Sequence, residues 1–298
     1  MSKVILHIGY PKTATKWFLG NFYPKVENAG IIYNENLFYD TTPGKEFFEV
    51  KPDERYIERE LKIIATHALS GFGEGKLQIG SFRSFFLKHL KLQFPDASVI
   101  IFIRNQYDFL ASLYSSYLKK GGTEKIHTFY KVNTDNDGVF FSFEYLNYAK
   151  AIKEFQNEFG KEKVHVFLYE DFLENNFRFI NEFASKFNIS IDLDKISFQK
   201  KNEKLRIGLI NLLLQSNKFF AKGLQPKKNH LNFPGLYSHI NLNIDKLNRY
   251  AIFGKRMPCD KILNDDLRVF IHEYYKTSNK ELIDNFGLEA IRKYDYPL

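Results

Sequence analysis

Short apolar runs alternate with longer amphipathic segments along most of this chain. Four runs have the length and the β-branched composition of buried strands: residues 3–8, 61–65, 99–103 and 164–168. Apolar residues recur at helical spacing within residues 82–94, 110–117, 145–159 and 180–187, and we also predict helices at residues 13–28 and 264–286 from their length. Because strands that alternate with helices pair in parallel, we predict an α/β fold with a central parallel sheet flanked by helices on both faces.

Residues 200–260 break this alternation. An apolar helix at residues 207–214 is followed there by a stretch rich in Lys, Asn and Pro. We interpret residues 200–260 as an insertion over the sheet and over the active site. A chain of 298 residues is long enough to bury one large core, so we predict a single domain from residue 1 to 298, although two domains also fit this length.

Residues 9–17 (GYPKTATKW) join the first predicted strand to the first predicted helix. At such a junction, free backbone N–H groups and the positive end of the helix dipole attract a phosphate. Lysine and threonine side chains add donors and charge here, at Lys12, Thr13, Thr15 and Lys16. The segment therefore predicts a phosphate site, and the alternative is an ordinary polar turn with two surface lysines.

The same segment departs from the P-loop of nucleotide kinases, which reads Gly, four residues, Gly, Lys and then Ser or Thr. Counted from the first glycine, the last three of these positions hold Ala14, Thr15 and Lys16. The strand at residues 99–103 also closes into Arg104 and not into a magnesium-binding acid. We therefore predict a fold that is P-loop-like in its strand, loop and helix order but lacks the kinase residues. A P-loop kinase acting on a nucleotide or metabolite is the second candidate.

Residues 10–17 (YPKTATKW) resemble the 5′-phosphosulfate loop of sulfotransferases that use 3′-phosphoadenosine-5′-phosphosulfate (PAPS), where Tyr-Pro-Lys-Ser-Gly-Thr-Thr-Trp is a familiar form. Ala14 replaces a glycine of that form, and Lys16 replaces a hydroxyl residue. The resemblance implies donor contacts by Lys12, Thr13, Ala14, Thr15, Lys16 and Trp17. Trp17 either stacks on the adenine or packs against the first helix.

A second pair of residues resembles the 3′-phosphate motif of the same family. Arg104 follows the strand at residues 99–103, and Ser112 lies eight residues later on the polar face of the next predicted helix. A guanidinium at a strand end can make charge-assisted hydrogen bonds to phosphate, to which a hydroxyl adds a donor. The alternative for Arg104 is a structural ion pair. Residues 169–172 and 274–297 are also similar to bacterial carbohydrate-type sulfotransferases, so the resemblance spans nearly the whole chain.

The resemblance also implies two catalytic roles. Lys12 would neutralise the oxygen that leaves with the 5′-phosphate. His67, at the end of the second predicted strand, would take the acceptor proton, because an imidazole pKa of ~6.5 suits that role near neutral pH. Glu74 is the reserve base, and a structural histidine is the alternative. Late polar residues either reach the 3′-phosphate or are solvated: Lys201, Asn202, Lys204 and Arg206.

Composition narrows the partners. The formal net charge of +8 favours anionic ligands. The chain contains no run of five or more basic residues, which weakens the prediction of nucleic acid or a membrane as a partner. One cysteine, Cys259, excludes an internal disulfide and a cysteine-cluster metal site.

We expect PAPS as donor, its desulfated product PAP, no metal, and a saccharide, glycolipid or small-molecule acceptor. With no leader and no apolar run of ~20 residues, we expect a cytoplasmic protein. The third candidate is an inactive PAP-binding interaction module, and oligomeric state is not predicted.

Overall fold

A parallel sheet of five strands organises the chain. The computed structural model describes residues 3–33, 37–40, 45, 47–51, 59–66, 68–71, 82–130, 141–198, 204–219, 243–256 and 262–298. The strands are β1 (Lys3–Gly9), β2 (Ala29–Ile32), β3 (Leu37–Asp40), β4 (Phe47–Val50), β5 (Leu61–Thr66), β6 (Ser98–Ile103) and β7 (Val164–Leu168). The main sheet has the order β2-β5-β1-β6-β7 with every pair parallel, and β3 and β4 form a separate antiparallel pair.

The longer helices lie where the sequence analysis predicts them, with shifted ends. The helices are α1 (Thr15–Trp17), α2 (Arg83–Gln93), α3 (Gln106–Lys119), α4 (Ile126–Phe129), α5 (Tyr148–Phe159), α6 (Tyr169–Glu174), α7 (Asn176–Phe187), α8 (Ile207–Ser216) and α9 (Asp265–Phe286). The short helices α4 and α6 were not predicted. The helix predicted over residues 13–28 is shorter than expected. After α1 it continues as a π-helical turn over Phe18–Phe22 and a 3-10 turn over Tyr23–Lys25. Pro24 explains this ending, because its ring blocks the backbone of a regular helix.

Both faces of the sheet are covered, which confirms the predicted α/β class. On one face the Phe102 ring of β6 lies 5.2 Å from Phe18 and 6.2 Å from Phe183 of α7, ring centre to ring centre. On the opposite face, α5 packs on β6 and β7 and α2 packs on α5. Strands buried on both faces need apolar residues at successive positions, as the buried run of β6 shows.

The chain divides into two compact units. The first comprises Met1–Arg104, Ser142–Phe198 and Ser278–Asp295 and contains the sheet. The second comprises Asn105–Phe141, Gln199–Thr277 and Tyr296–Leu298, and so includes the predicted insertion. The interpretation as a single domain stays a prediction. Within the described ranges, no helix is long and apolar enough to cross a membrane.

Candidate functional site

The loop after β1 is closed by its own threonines. Thr13 donates a hydrogen bond from Oγ1 to the carbonyl oxygen of Tyr10 at 2.5 Å, and Thr15 Oγ1 donates to the same oxygen at 3.5 Å. Both threonines are buried. A hydroxyl has one proton to donate. In this structure both hydroxyls therefore contact the loop's own backbone, and their contact with a ligand stays a prediction.

Two residues of the loop have left-handed backbone conformations. The φ angles of Lys12 and Ala14 are 69° and 66°, and Thr13 lies between them. This conformation costs an L-residue about 1–2 kcal/mol, so the fold holds the loop against local strain. Left-handed residues that alternate with right-handed ones direct successive N–H groups into a concavity that binds anions. The two left-handed residues of the loop are compatible with an anion site there.

Gly9 allows the loop to fold back on the end of β1. A Cβ atom on Gly9 would lie 2.3 Å from Thr15 Oγ1 and 2.7 Å from Thr15 Cγ2. These distances are well below any van der Waals contact. The position therefore requires glycine, and this requirement is independent of what the loop binds.

Trp17 packs inside the first unit. Its Nε1 donates to the carbonyl oxygen of Ser197 at 3.2 Å, and its ring centre lies 4.9 Å from Phe172 and 5.7 Å from Phe198. In this structure the Trp17 ring packs against Phe172 and Phe198 and not only against its own helix. Stacking on an adenine stays a prediction.

Arg104 joins the end of β6 to the loop after β1. Its Nη1 donates to the carbonyl oxygen of Lys12 at 3.0 Å, and its guanidinium carbon lies 4.8 Å from the centre of the Tyr169 ring. The Tyr148 hydroxyl donates to the Arg104 carbonyl at 2.8 Å. Arg104 is only 8% exposed. Because β1 and β6 are parallel neighbours, both sequence motifs reach the same edge of the sheet.

That edge is also where the winding of the sheet changes side. From β1, strands β2 and β5 lie to one side, and β6 and β7 lie to the other. In open parallel sheets, ligands bind beyond the carboxyl ends of the strands at such a switch point. The fold and this loop together define an α/β protein with a candidate anion site at the β1–β6 switch point.

A buried polar cluster beside Tyr10 escaped the sequence analysis. Arg83 Nη1 lies 3.5 Å from Glu154 Oε2, and its Nη2 lies 3.5 Å from the carbonyl oxygen of Tyr145. The Tyr145 hydroxyl shares a 2.6 Å hydrogen bond with Ser70, and the Tyr10 ring centre lies 4.9 Å from the Tyr145 ring. Burial raises the pKa of Tyr10, so its phenol is neutral.

This cluster packs against the loop after β1 through the Tyr10 ring. Tyr10 belongs to the loop motif, but Arg83 does not. Arg83 is the first residue of α2, and only the apolar face of that helix was used to predict it, so the cluster was not predicted. The available signal was an arginine at the first position of an amphipathic helix.

The other predicted residues have varied positions. Lys12 is half-buried and Lys16 is exposed, while Ser112 is half-buried on α3 in the second unit. Lys204 pairs with Asp108 at 3.5 Å.

His67, Glu74, Lys201 and Asn202 lie outside the described residues. β5 nevertheless ends at Thr66, beside Ile8 of β1, as the strand prediction requires. In the described part of the chain, no cluster of His, Cys, Asp or Glu side chains is arranged to hold a metal.

Comparison with known proteins leaves the family open. No family model matches the chain, and no curated protein matches it. A crystal structure of a sulfotransferase from Alicyclobacillus acidocaldarius is 12% identical over 86% of this chain and all of its own, with a TM-score of 0.46. Mouse sulfotransferase SULT7A1 complexed with PAP is 15% identical over 93% of this chain and 84% of its own, with a TM-score of 0.45. At these identities and TM-scores, neither likeness assigns a function.

Proposed function

We propose that this chain is a PAPS-dependent sulfotransferase, which moves a sulfuryl group from PAPS to a hydroxyl or amine of an acceptor. The observation that carries the proposal is the 3.0 Å hydrogen bond from Arg104 Nη1 to the Lys12 carbonyl. It brings together two motifs that are 92 residues apart in sequence. The resemblance assigns those motifs to the two phosphate ends of one nucleotide.

The 5′ end of the donor would lie in the loop after β1. The left-handed backbone of Lys12 and Ala14 supports this placement, because such residues can direct neighbouring N–H groups toward an anion. The Lys12 ammonium adds a charge that can approach the ligand, since Lys12 is half-buried and not enclosed. Exposed Lys16 adds long-range attraction. These groups fit a phosphosulfate without requiring the threonine hydroxyls.

The 3′-phosphate would meet Arg104. Its guanidinium is held in place by the Lys12 carbonyl and by the Tyr169 ring, so its plane is fixed before the ligand arrives. A fixed guanidinium loses less conformational entropy on binding than a mobile lysine does. Ser112 is the second donor that the motif predicts.

The chemistry assigned to the chain's residues has two parts. PAPS supplies an activated sulfuryl group, whose bond to the bridging oxygen of the 5′-phosphate breaks as the acceptor bond forms. Lys12 would stabilise the negative charge that grows on that bridging oxygen. His67 would accept the acceptor proton, with Glu74 in reserve. We place the acceptor among saccharides, glycolipids and other small molecules by family analogy alone.

Calorimetric titration with PAP and with ATP, each with and without magnesium, tests the proposal. A sulfotransferase binds PAP without magnesium and binds ATP weakly, because its loop is built for a phosphosulfate. A P-loop kinase binds magnesium–ATP and not PAP. The latter result would overturn the proposal.

Turnover separates the enzyme from an inactive binding module. Labelled PAPS is offered with a panel of saccharides, glycolipids and phenols. Transfer of the label by the wild type, and its loss in Lys12→Met, is the expected result. PAP binding with no transfer to any acceptor on a broad panel would favour the inactive module.

A further inference from the structure

A basic turn with an apolar tip projects from the second unit. We define the basic turn as residues 246–256 (KLNRYAIFGKR). Its tip carries Ile252, which is 88% exposed, and Tyr250, which is 61% exposed. Single exposed apolar residues are ordinary on protein surfaces, but these two lie two positions apart on one short turn.

The turn is held rigidly by two residues behind it. Asn248 is buried, accepts a hydrogen bond from the Arg206 backbone N–H at 2.9 Å and donates to the Lys204 carbonyl at 3.0 Å. The Arg206 side chain donates from Nε to the Asn248 carbonyl at 2.9 Å and from Nη1 to the Gly254 carbonyl. These hydrogen bonds tie Asn248 and Gly254 of the turn to Lys204 and Arg206.

The backbone around Gly254 closes the turn tightly. Gly254 has a φ of 81°, and Gly208 packs so closely that a Cβ there would lie 2.9 Å from the Phe253 carbonyl oxygen. Ile207 packs next to Gly254 and is 45% exposed, which enlarges the apolar tip. The close packing of Gly208 and Ile207 therefore holds the exposed tip in place.

Cations flank the apolar tip on both sides in sequence. Lys246 and Arg249 precede it and Lys255 and Arg256 follow it, and all four are exposed. The nearest acid in sequence, Asp245, forms an ion pair with Lys119 at 2.6 Å. The basic turn therefore carries four exposed cationic side chains in sequence around an apolar tip.

We propose that the basic turn docks this protein on an anionic lipid surface. Cations at the level of lipid headgroups are attracted by the negative surface potential of the membrane. An aliphatic side chain at the tip can enter the boundary between headgroups and acyl chains, and tyrosine suits the interface itself. Nucleic acid would use the same cations and could stack a base on Tyr250, but the most exposed apolar side chain here is the aliphatic Ile252, which a lipid interface buries and base stacking does not use.

Vesicle flotation tests the proposal with the full chain. Wild type is mixed with vesicles of phosphatidylcholine, or with vesicles in which about a third of the lipid is phosphatidylglycerol. We expect binding to the anionic vesicles only, weakened by added salt. Equal binding to both vesicle types, or to neither, would overturn the proposal.

Two variants separate the contributions of charge and tip. The double variant Lys255→Gln with Arg256→Gln should lower partitioning onto anionic vesicles by roughly 30-fold. Ile252→Ser should lower it by roughly 10-fold, and Ile252→Phe should restore it. The matched controls lie in the first unit: Leu92→Ser for the tip, and Lys88→Gln with Lys153→Gln for the charge.

Both controls should bind as wild type does. If the controls weaken binding as much as the turn variants do, overall charge and not the basic turn attracts the protein. If Ile252→Ser leaves lipid binding unchanged while charge variants lose binding to single-stranded DNA as well, the surface is a polyanion site and the proposal fails. All substituted side chains are exposed or half-buried, and circular dichroism confirms that each variant is folded.

Discussion

At the residue scale, the loop after β1 is strained where this chain departs from the form it resembles. Ala14 has a φ of 66° and a ψ of 4°, a conformation that favours glycine. The familiar form of the motif has glycine there. The loop therefore keeps the shape that glycine would give, because its surroundings outweigh the cost of the alanine Cβ.

The first prediction follows from that strain. Ala14→Gly removes a penalty of about 1–2 kcal/mol in the folded state but adds about 0.5–1 kcal/mol of chain entropy to the unfolded state. We expect the free energy of unfolding to rise by roughly 0.5–1 kcal/mol in urea denaturation. As a control, Ala149→Gly inside α5 should lower it by about 1 kcal/mol. A loss of stability in Ala14→Gly would contradict the account of the loop.

A buried histidine in β1 makes stability depend on pH. His7 is enclosed by Phe18, Tyr23 and Phe102, and its Nδ1 shares a 2.6 Å hydrogen bond with the Tyr23 hydroxyl. Burial lowers the pKa of His7 from 6.5 to about 3. In the folded protein this imidazole is therefore neutral, and only the unfolded chain takes up its proton as the pH falls below 6.5.

The second prediction is the sign and size of this dependence. A lowered folded pKa means that stability is full above pH 6.5 and is lost as the pH falls toward 3. The loss approaches about 1.4 kcal/mol per pH unit. The double variant His7→Phe with Tyr23→Phe removes both hydrogen-bonding partners, so its free energy of unfolding should have a shallower slope between pH 6.5 and 4.5. His165, whose pKa burial also lowers, contributes equally to both proteins. Identical slopes would contradict a neutral buried His7.

At the element scale, strong periodicity predicted most of the fold. β7 has the predicted bounds, and α9 begins one residue later than expected, at Asp265. The strands β2, β3 and β4 were missed because each has only four residues, too few for an alternation or a helical period to show. The sequence also placed Lys12 and Arg104 at strand ends, and the parallel order of β1 and β6 explains why they lie at one edge.

Features that depend on contacts distant in sequence could not be predicted. The charge of Arg83 is accommodated by Glu154, which belongs to another helix, and no local pattern links the two. Of the four cations of the basic turn only Lys255 and Arg256 are adjacent, so a search for a run of five or more basic residues does not detect them. The Arg83–Glu154 contact appears only in three dimensions, and the exposure of the four cations appears only from the structure.

The third prediction concerns the junction between β6 and the loop. Arg104→Lys keeps the charge but loses the planar contact with Tyr169 and the directed hydrogen bond to the Lys12 carbonyl. We expect PAP affinity in calorimetry to fall by about 10-fold or more. Arg178→Lys, at an exposed site on α7, is the matched control and should bind PAP normally. Unchanged affinity in Arg104→Lys would show that Arg104 only braces the loop.

At the scale of the whole molecule, the net charge of +8 assists both proposals without deciding either. A positive surface speeds encounter with any anion, including a bisphosphorylated nucleotide and an acidic lipid. Specificity must then come from local geometry. In the first unit this geometry is the left-handed loop held by Arg104, and in the second unit it is the basic turn held by Arg206 and Asn248.

A crystal structure of the protein with PAP tests the central claim most directly. We expect the 5′-phosphate against the backbone N–H groups of residues 12–15 and the Lys12 ammonium, and the 3′-phosphate against the Arg104 guanidinium. PAP bound elsewhere, or bound with Lys12 and Arg104 directed away from both phosphates, would contradict the assignment.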